Sequence, residues 1–243
     1  MSSTSALAPS SRRAFSPQGK WLTVPATEVQ AELRRVLAQW GRPGTVRVDN
    51  GGPWGSAGDL PPELALWLIG LGIDMHWNDP HSPTQNGVVE RSQGTSKRWA
   101  EPGQCDTPEQ LQERLEEMDA IQREEYPSIG GLSRTVAYPG LVHSGRRYSE
   151  AWERRNWELG RVLEHLAGYA VVRRVDVNGD VSLYHRPHYV GCRHRGKEVY
   201  VMVDPKRAEW VFADGQGRQL RVQPAEELTA ERIRSLTMAK KRR

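Results

Sequence analysis

Two carboxylates have the residue types and setting to do chemistry. Asp49 follows a β-branched run, Thr45-Val46-Arg47-Val48, and opens a glycine-rich turn, Asn50-Gly51-Gly52. Glu90 stands near the start of a predicted helix, one helix and one strand further on. In a strand–helix–strand–helix unit these two ends can converge at the carboxyl edge of a sheet, where open α/β folds place their sites. Carboxylates gathered there suit hard, oxygen-seeking cations. A pair of Mg²⁺ ions roughly 4 Å apart can activate a water or a 3′-hydroxyl and stabilise the leaving oxygen in phosphodiester chemistry. Other constellations are weaker. His76, Asp79 and His81, or Cys192 and His194, lack the four ligands of a structural zinc site. Ser82, Ser92 and Ser96 lie near His81, but none has the glycine pattern of a nucleophile elbow.

The elements that must position Asp49 and Glu90 follow from periodicity. Trp21 to Val24 reads as a short strand ending at Pro25. Thr27 is the expected N-cap of a helix through Val29, Leu33, Val36, Leu37 and Trp40, which Gly41, Pro43 and Gly44 stop. Pro61 and Pro62 open a second helix through Leu64, Leu66, Trp67, Leu68 and Leu71, with Gly72 at its end. Ile73 to Trp77 is a strand, and Val88 to about Ala100 a helix that Gly94 weakens by about 1 kcal/mol relative to Ala. Thr107 caps a further helix that Pro108 begins. This order predicts an α/β layer.

From Tyr169 the texture changes. Val171, Val172, Val175, Val177, Val181 and Leu183 alternate loosely around Asn178-Gly179, a hairpin signal. Val199 to Val203 and Trp210 to Phe212 add strands, and several short strands in succession predict a small β-barrel.

Composition sets the bounds. A hydrophobic share of 37% and a charged share of 26% describe a globular chain on the polar side. No apolar run approaches the roughly 20 residues that cross a bilayer, and Met1 to Ser11 lacks the apolar core of a secretory signal. Two distant cysteines, Cys105 and Cys192, argue against a disulfide framework and fit a reducing cytoplasm. The net charge of +4 is mild, but its distribution is uneven: Lys240 to Arg243 is wholly basic, and Arg161 to Arg195 is rich in Arg and His. Such stretches can neutralise phosphates, although a solvated face is the simpler reading of a charge run. Nine tryptophans against two phenylalanines have no explanation in the sequence.

Two separated runs carry a family resemblance. Val48-Asp49-Asn50-Gly51-Gly52, followed by Pro80-His81-Ser82-Pro83-Thr84-Gln85-Asn86-Gly87-Val88-Val89-Glu90-Arg91, resembles the signature of retroviral-integrase-like DDE enzymes, and within them bacterial insertion-sequence transposases. Thr95, Lys97 and Arg98 match the stretch that follows. The resemblance covers residues 20 to about 126. It implies an RNase H-like core with Asp49 and Glu90 as the second and third catalytic, metal-binding acids on Mg²⁺ or Mn²⁺. It also implies that Asn86-Gly87 turns the chain into the Glu90 helix, and that Asn86, Arg91, Lys97 and Arg98 contact DNA. Where the family often has a second basic residue, this chain has Gly94. A β-barrel follows the core in many such enzymes, with Arg173, Arg174, Arg186, Arg193 and Arg195 as further DNA candidates.

The implied organisation is a flexible leader (1–19), a partial RNase H-like integrase core (20–126), a connector (127–160), a C-terminal β-barrel (161–229) and a basic tail (230–243). The core is expected to be incomplete. The first acid of the triad has no counterpart, since Glu28 and Glu32 are the only acids before Asp49, and both lie within a helix. Trp21 to Val24 would then be the third strand of the sheet. The expected function is metal-dependent DNA strand transfer for integration and transposition, not accomplished by this chain unaided. DNA, further copies of the chain or a separately encoded N-terminal part are the expected partners, in a bacterial cytoplasm and without a membrane. The rival reading is a DNA-binding remnant that inhibits the intact transposase without catalysis.

Overall fold

The computed structural model describes residues 25–55, 58–79 and 87–238, together with the backbone of strands 14–15 and 21–22; within 87–97 the side chains of 88–90, 92, 93 and 97 lie outside the description. It is a mixed α/β structure. Two short strands come first: β1 (Ala14–Phe15) pairs antiparallel with β2 (Trp21–Leu22). Part of the expected leader is therefore strand. The segment expected to be the third strand of a core sheet pairs with β1 and not with β3.

Helix α1 (Ala26–Trp40) buries Val29, Leu33 and Leu37, the stripe that the spacing predicts. Its cap differs. Pro25, not Thr27, precedes the first turn, and the Pro25 carbonyl accepts from Glu28 (3.0 Å) and Val29 (3.2 Å). Thr27 lies inside that turn, where its hydroxyl has no capping role. Strand β3 (Thr45–Val48) runs parallel to β4 (Asp74–Trp77), with Thr45 opposite Asp74 and Val48 opposite Trp77. Helix α2 (Glu63–Gly70) connects them, and every residue from Leu64 to Gly70 is buried. A helix that is apolar on all sides must be covered on all sides. Here β4 covers it, together with two later helices, α7 (Leu159–Ala167) and α8 (Ala230–Arg234).

Helix α3 (Gly87–Trp99) packs on α4 (Pro108–Glu124), which Thr107 caps by accepting from Gln110 N–H at 3.3 Å, as expected. A short α5 (Arg134–Ala137) lies against α4, and α6 (Glu150–Asn156) is capped by Ser149. The stretch expected to be a connector supplies core residues: Tyr148, Glu153 and Trp157 are buried. Residues 161–167, at the start of the segment expected to be a barrel, belong to α7, whose Val162, Leu163 and Leu166 face inward.

The C-terminal strands are β5 (Val171–Arg174), β6 (Asp180–Leu183), β7 (Arg186–Tyr189), β8 (Glu198–Asp204), β9 (Glu209–Ala213) and β10 (Gln219–Pro224). They form an open antiparallel sheet, β10-β9-β8-β5, beside a β6-β7 hairpin. No sheet among the described residues closes into a barrel. The Asn178-Gly179 turn forms where the sequence predicts it, with Gly179 at φ 86° and the Asp176 carboxylate accepting from the backbone of Asn178 and Asp180. The strands it joins take other partners. Strand β5 pairs with β8, whose alternation buries Val199, Val201 and Val203, and β6 pairs with β7. Of the expected basic tail, Arg232, Ile233, Leu236 and Met238 are buried, Ile233 and Met238 fully; residues 239–243 lie outside the described residues.

One buried apolar cluster runs from Val29 to Met238. Two buried carboxylates are set into it. Glu153 accepts from Arg34 Nε (3.1 Å) and Nη2 (2.8 Å), from Trp67 Nε1 (3.0 Å) and from the Tyr148 hydroxyl (2.5 Å). Glu227 accepts from Trp210 Nε1 (2.7 Å) and faces His188 Nε2 at 3.1 Å. Four of the nine tryptophans thus have a use for the indole N–H. Trp67 and Trp210 donate to these carboxylates, Trp157 to the Trp67 carbonyl and Trp77 to the Trp54 carbonyl, and phenylalanine could make none of these bonds. Among the described residues no helix is long and apolar enough to cross a membrane.

Candidate functional site

The parallel β3–β4 pair sets the geometry around Asp49. Continuing the register places Asn78 opposite Asp49, and the Asn78 N–H donates to the Val48 carbonyl at 2.9 Å. Asn50 Nδ2 returns a bond to the Asn78 carbonyl at 2.7 Å, tying the two strand ends together just past the last paired residues. The chain then turns, with the Gly51 carbonyl accepting from Trp54 (2.8 Å) and Gly55 (3.1 Å). Both Asp49 carboxylate oxygens lie 3.6 Å from where a Cβ on Gly51 would sit, so the carboxylate folds back over the turn and stays exposed. A second exposed acid, Asp79, follows Asn78 on the neighbouring strand end. Its sequence signal is its place just beyond a strand that pairs in parallel with the Asp49 strand, a pairing visible only in the fold.

The helix expected to carry the other acid is present. Glu90 lies in the first turn of α3, and its side chain is outside the described residues, as is that of Lys97. Residues 80–86, Asn86 and His81 among them, also fall outside the description. Arg91 and Arg98 are exposed on α3, and Arg98 Nε donates to the Gly94 carbonyl at 3.2 Å. Polar contacts fasten α3 to α4: Ser96 Oγ donates to Asp119 (3.2 Å) and accepts from Gln122 Nε2 (2.9 Å). Among the described residues no three His, Cys, Asp or Glu side chains form a metal-binding group.

Cys192 and His194 have other partners, and His81 lies outside the described residues. His194 Nε2 accepts from Arg193 Nε at 2.9 Å, and Cys192 Sγ lies 3.5 Å from the Asn178 carbonyl and 3.6 Å from the Tyr189 hydroxyl. Hydrogen bonds from Tyr189 and Arg195 hold the Cys192 thiol below its usual value. Burial, then the cations Arg193 and Lys197, hold the His194 imidazole below its own. Of the C-terminal arginines, Arg173 is spent on Asp59 and Arg186 bonds the Met238 carbonyl at 3.2 Å. Arg174, Arg193, Arg195 and Lys197 are exposed around the turn between β7 and β8.

No known family model matches the chain.

Proposed function

We propose that the chain belongs to a DNA strand-transfer system of the DDE transposase/integrase type, and that its RNase H-like part holds a Mg²⁺ or Mn²⁺ through Asp49 and Glu90. The observation that carries this reading is the β3-α2-β4 unit. It puts Asp49 at the carboxyl edge of a parallel pair, from which the chain leads directly into the helix bearing Glu90. The donor type fits, because an exposed carboxylate at a strand end offers the hard oxygens that such cations take. When bound, the cation would activate the attacking oxygen and stabilise the leaving one. The backbone around Asp49 is fixed by the Gly51 turn and the Asn50–Asn78 tie, so the carboxylate would meet the cation without rearranging the strand ends. Asp79, exposed one residue past the Asn78 that lies opposite Asp49, would be a source of a further oxygen. Arg91 and Arg98 on the exposed side of α3, with Lys97 and Asn86, would hold the phosphodiester while the new P–O bond forms and the 3′ oxygen leaves. A multimer, with DNA ends as its substrate, is part of the same proposal.

Calorimetry with Mg²⁺ and Mn²⁺ tests this reading on wild type, Asp49→Asn and Glu90→Gln. Binding by the wild type that both substitutions abolish is the expected result. Equal behaviour of all three folded proteins rejects it.

A second reading, DNA binding without catalysis, draws on the exposed Arg174, Arg193, Arg195 and Lys197 beside Tyr189 and Tyr200, which are 48% and 42% exposed. Cations interleaved with aromatic rings suit a nucleic-acid surface. Duplex binding without divalent ions, undiminished in Asp49→Asn and lost in Arg193→Gln/Arg195→Gln, is its expected result.

A further inference from the structure

At the end of the β3–β4 pair away from Asp49, three arginines converge on the C-terminus of α2. Arg161 Nη1 donates to the Gly70 carbonyl (3.3 Å), Arg42 Nη1 to the Leu71 carbonyl (2.6 Å) and Arg146 Nη2 to the Gly72 carbonyl (2.5 Å). Three consecutive carbonyls thus each take a different guanidinium. The groups are close together. A Cβ on Gly72 would sit 2.9 Å from Arg161 Nη1 and 3.5 Å from Arg146 Nη2. Further bonds fix their planes: Arg146 Nη1 reaches the Pro43 carbonyl (2.7 Å), Arg42 Nε the Arg147 carbonyl (3.4 Å), and the Trp152 ring lies 3.6 Å from the Arg42 guanidinium carbon.

Helix capping explains only part of this cluster. The end of a helix carries a partial negative charge of about half a unit, and one guanidinium balances that. Among the described residues the acid paired with the cluster is Glu158, 2.7 Å from Arg161 and itself 56% exposed. Three cations therefore face one carboxylate and a helix end. Burial, and then the charges of Arg146 and Arg161, hold the Arg42 guanidinium below its usual value, which marks a site short of negative charge. A guanidinium carries more N–H donors than these bonds use. The side chains are already held, so little conformational entropy remains to be lost on engaging a ligand.

We infer that Arg42, Arg146 and Arg161 form a site for the phosphate backbone of a nucleic acid. Guanidinium forks match phosphate oxygens, and Arg161 and Arg146 both close on the Gly72 backbone, so their charges stand side by side. The exposed Arg147 extends the positive surface past the cluster, which suits a ligand whose phosphates recur better than a single free anion. The inference rests on the proposed function only for the identity of the ligand.

The test uses the full chain carrying Asp49→Asn, in EDTA, with a fluorescent DNA duplex titrated over a range of KCl concentrations. Arg146→Gln and Arg161→Gln keep an amide for the carbonyls but remove the charge, whereas Arg146→Lys keeps it. Each lost phosphate contact is expected to flatten the plot of log affinity against log salt by about 0.9, with the lysine variant near the parent. Folded glutamine variants with the parental slope would overturn the inference. So would stabilisation by inorganic phosphate without any change in duplex slope, which would mark a free-anion site. Should the glutamine variants not fold, phenylglyoxal modification of the parent decides: duplex protection of Arg42, Arg146 and Arg161 is expected, and unprotected labelling overturns the site. A parent that binds no duplex at low salt would overturn both this site and the proposed function. Duplex binding with an unmoved slope would overturn the site alone.

Discussion

Removing the Glu153 carboxylate should unfold a large part of the stability of this protein. Glu153 is 1% exposed and accepts two bonds from Arg34, one from the Trp67 indole and one from the Tyr148 hydroxyl. Arg234 Nε adds an ion-pair contact at 3.6 Å. Truncation to alanine leaves a fully buried indole N–H and a buried hydroxyl without their acceptor, and two guanidiniums without their counter-ion. Breaking a buried pair by removing one partner costs about 3–5 kcal/mol. The Arg34 side chain is 28% exposed and can regain some water, which favours the lower half of that range. At about 2–4 °C per kcal/mol for a chain of this size, Glu153→Ala should melt roughly 6–16 °C below wild type. Glu153→Gln, which keeps the shape and one acceptor, should lose less. Replacing both partners, as Arg34→Met with Glu153→Leu, should recover much of the loss, because an apolar pair carries no desolvation cost. The pH dependence gives an independent reading. Burial alone would raise the Glu153 carboxyl, but hydrogen bonds from Arg34, Tyr148 and Trp67 outweigh it and hold it below its usual 4.5. A carboxyl depressed in the folded state contributes stability that is complete above the unfolded value and is lost as the pH falls through the folded value. Urea unfolding from pH 6 to pH 3 should therefore show wild type losing more stability than Glu153→Gln. Glu153→Ala within about 1 kcal/mol of wild type, or parallel pH profiles for the two proteins, would refute the reasoning.

Gly70→Ala should destabilise by about 1–3 kcal/mol, since the added Cβ would lie 2.1 Å from the Trp157 ring, itself bonded to the Trp67 carbonyl; an unchanged melting temperature would show that Trp157 can give way. Trp210→Phe should cost about 1–3 kcal/mol, because the ring is replaced but Glu227 loses the indole donor 2.7 Å away; equal urea midpoints would contradict this. Mg²⁺ or Mn²⁺ binding should vanish in Asp49→Asn and in Glu90→Gln, as read by calorimetry. The salt slope of duplex binding should flatten by about 0.9 in Arg146→Gln.

What the sequence reveals about this fold is chiefly its local chemistry. The Pro61-Pro62 start of α2, the Thr107 cap and the Asn178-Gly179 turn all depend on residues within a few positions, and each forms as its residues predict. So does the strand that delivers Asp49. Long-range partners were not legible. The Arg34–Glu153 pair spans 119 positions, and nothing near Glu153 distinguishes it from its exposed neighbour Glu150. Local signals also fail where a backbone group competes. Thr27 has the chemistry of a cap, yet Pro25 with its free carbonyl begins the helix first. The same limit explains the C-terminal sheet. Alternating valines announce strands, but whether they close into a barrel depends on pairing order, and here β5 joins β8 across the β6-β7 hairpin.

The candidate carboxylate edge therefore owes its shape to residues far from it in the chain. Two parallel strands do not make a stable sheet by themselves, and α2 is too apolar to face water on any side. The cover comes from α7 and α8, and Trp157 packs directly on Gly70. Glu153 links α1 to α2 through Arg34 and Trp67, and reaches α8 through Arg234. Its partners are two guanidiniums, one indole and one hydroxyl, which offset the cost of burying a charge only when all are in place. A polar hub of this kind favours one arrangement of the helices over slipped alternatives that an all-leucine interface would tolerate. The three arginines act beside it, on the carbonyls at and just past the C-terminus of α2: Arg161 from α7, Arg146 from the segment before α6 and Arg42 from the loop before β3. Trp67 and these carbonyls all belong to the C-terminal half of α2 and the turn after it, from which the chain enters β4. Substitutions at Glu153 or Arg146 therefore act first on the seating of that half of the helix, and through it on β4, with Asp49 itself untouched.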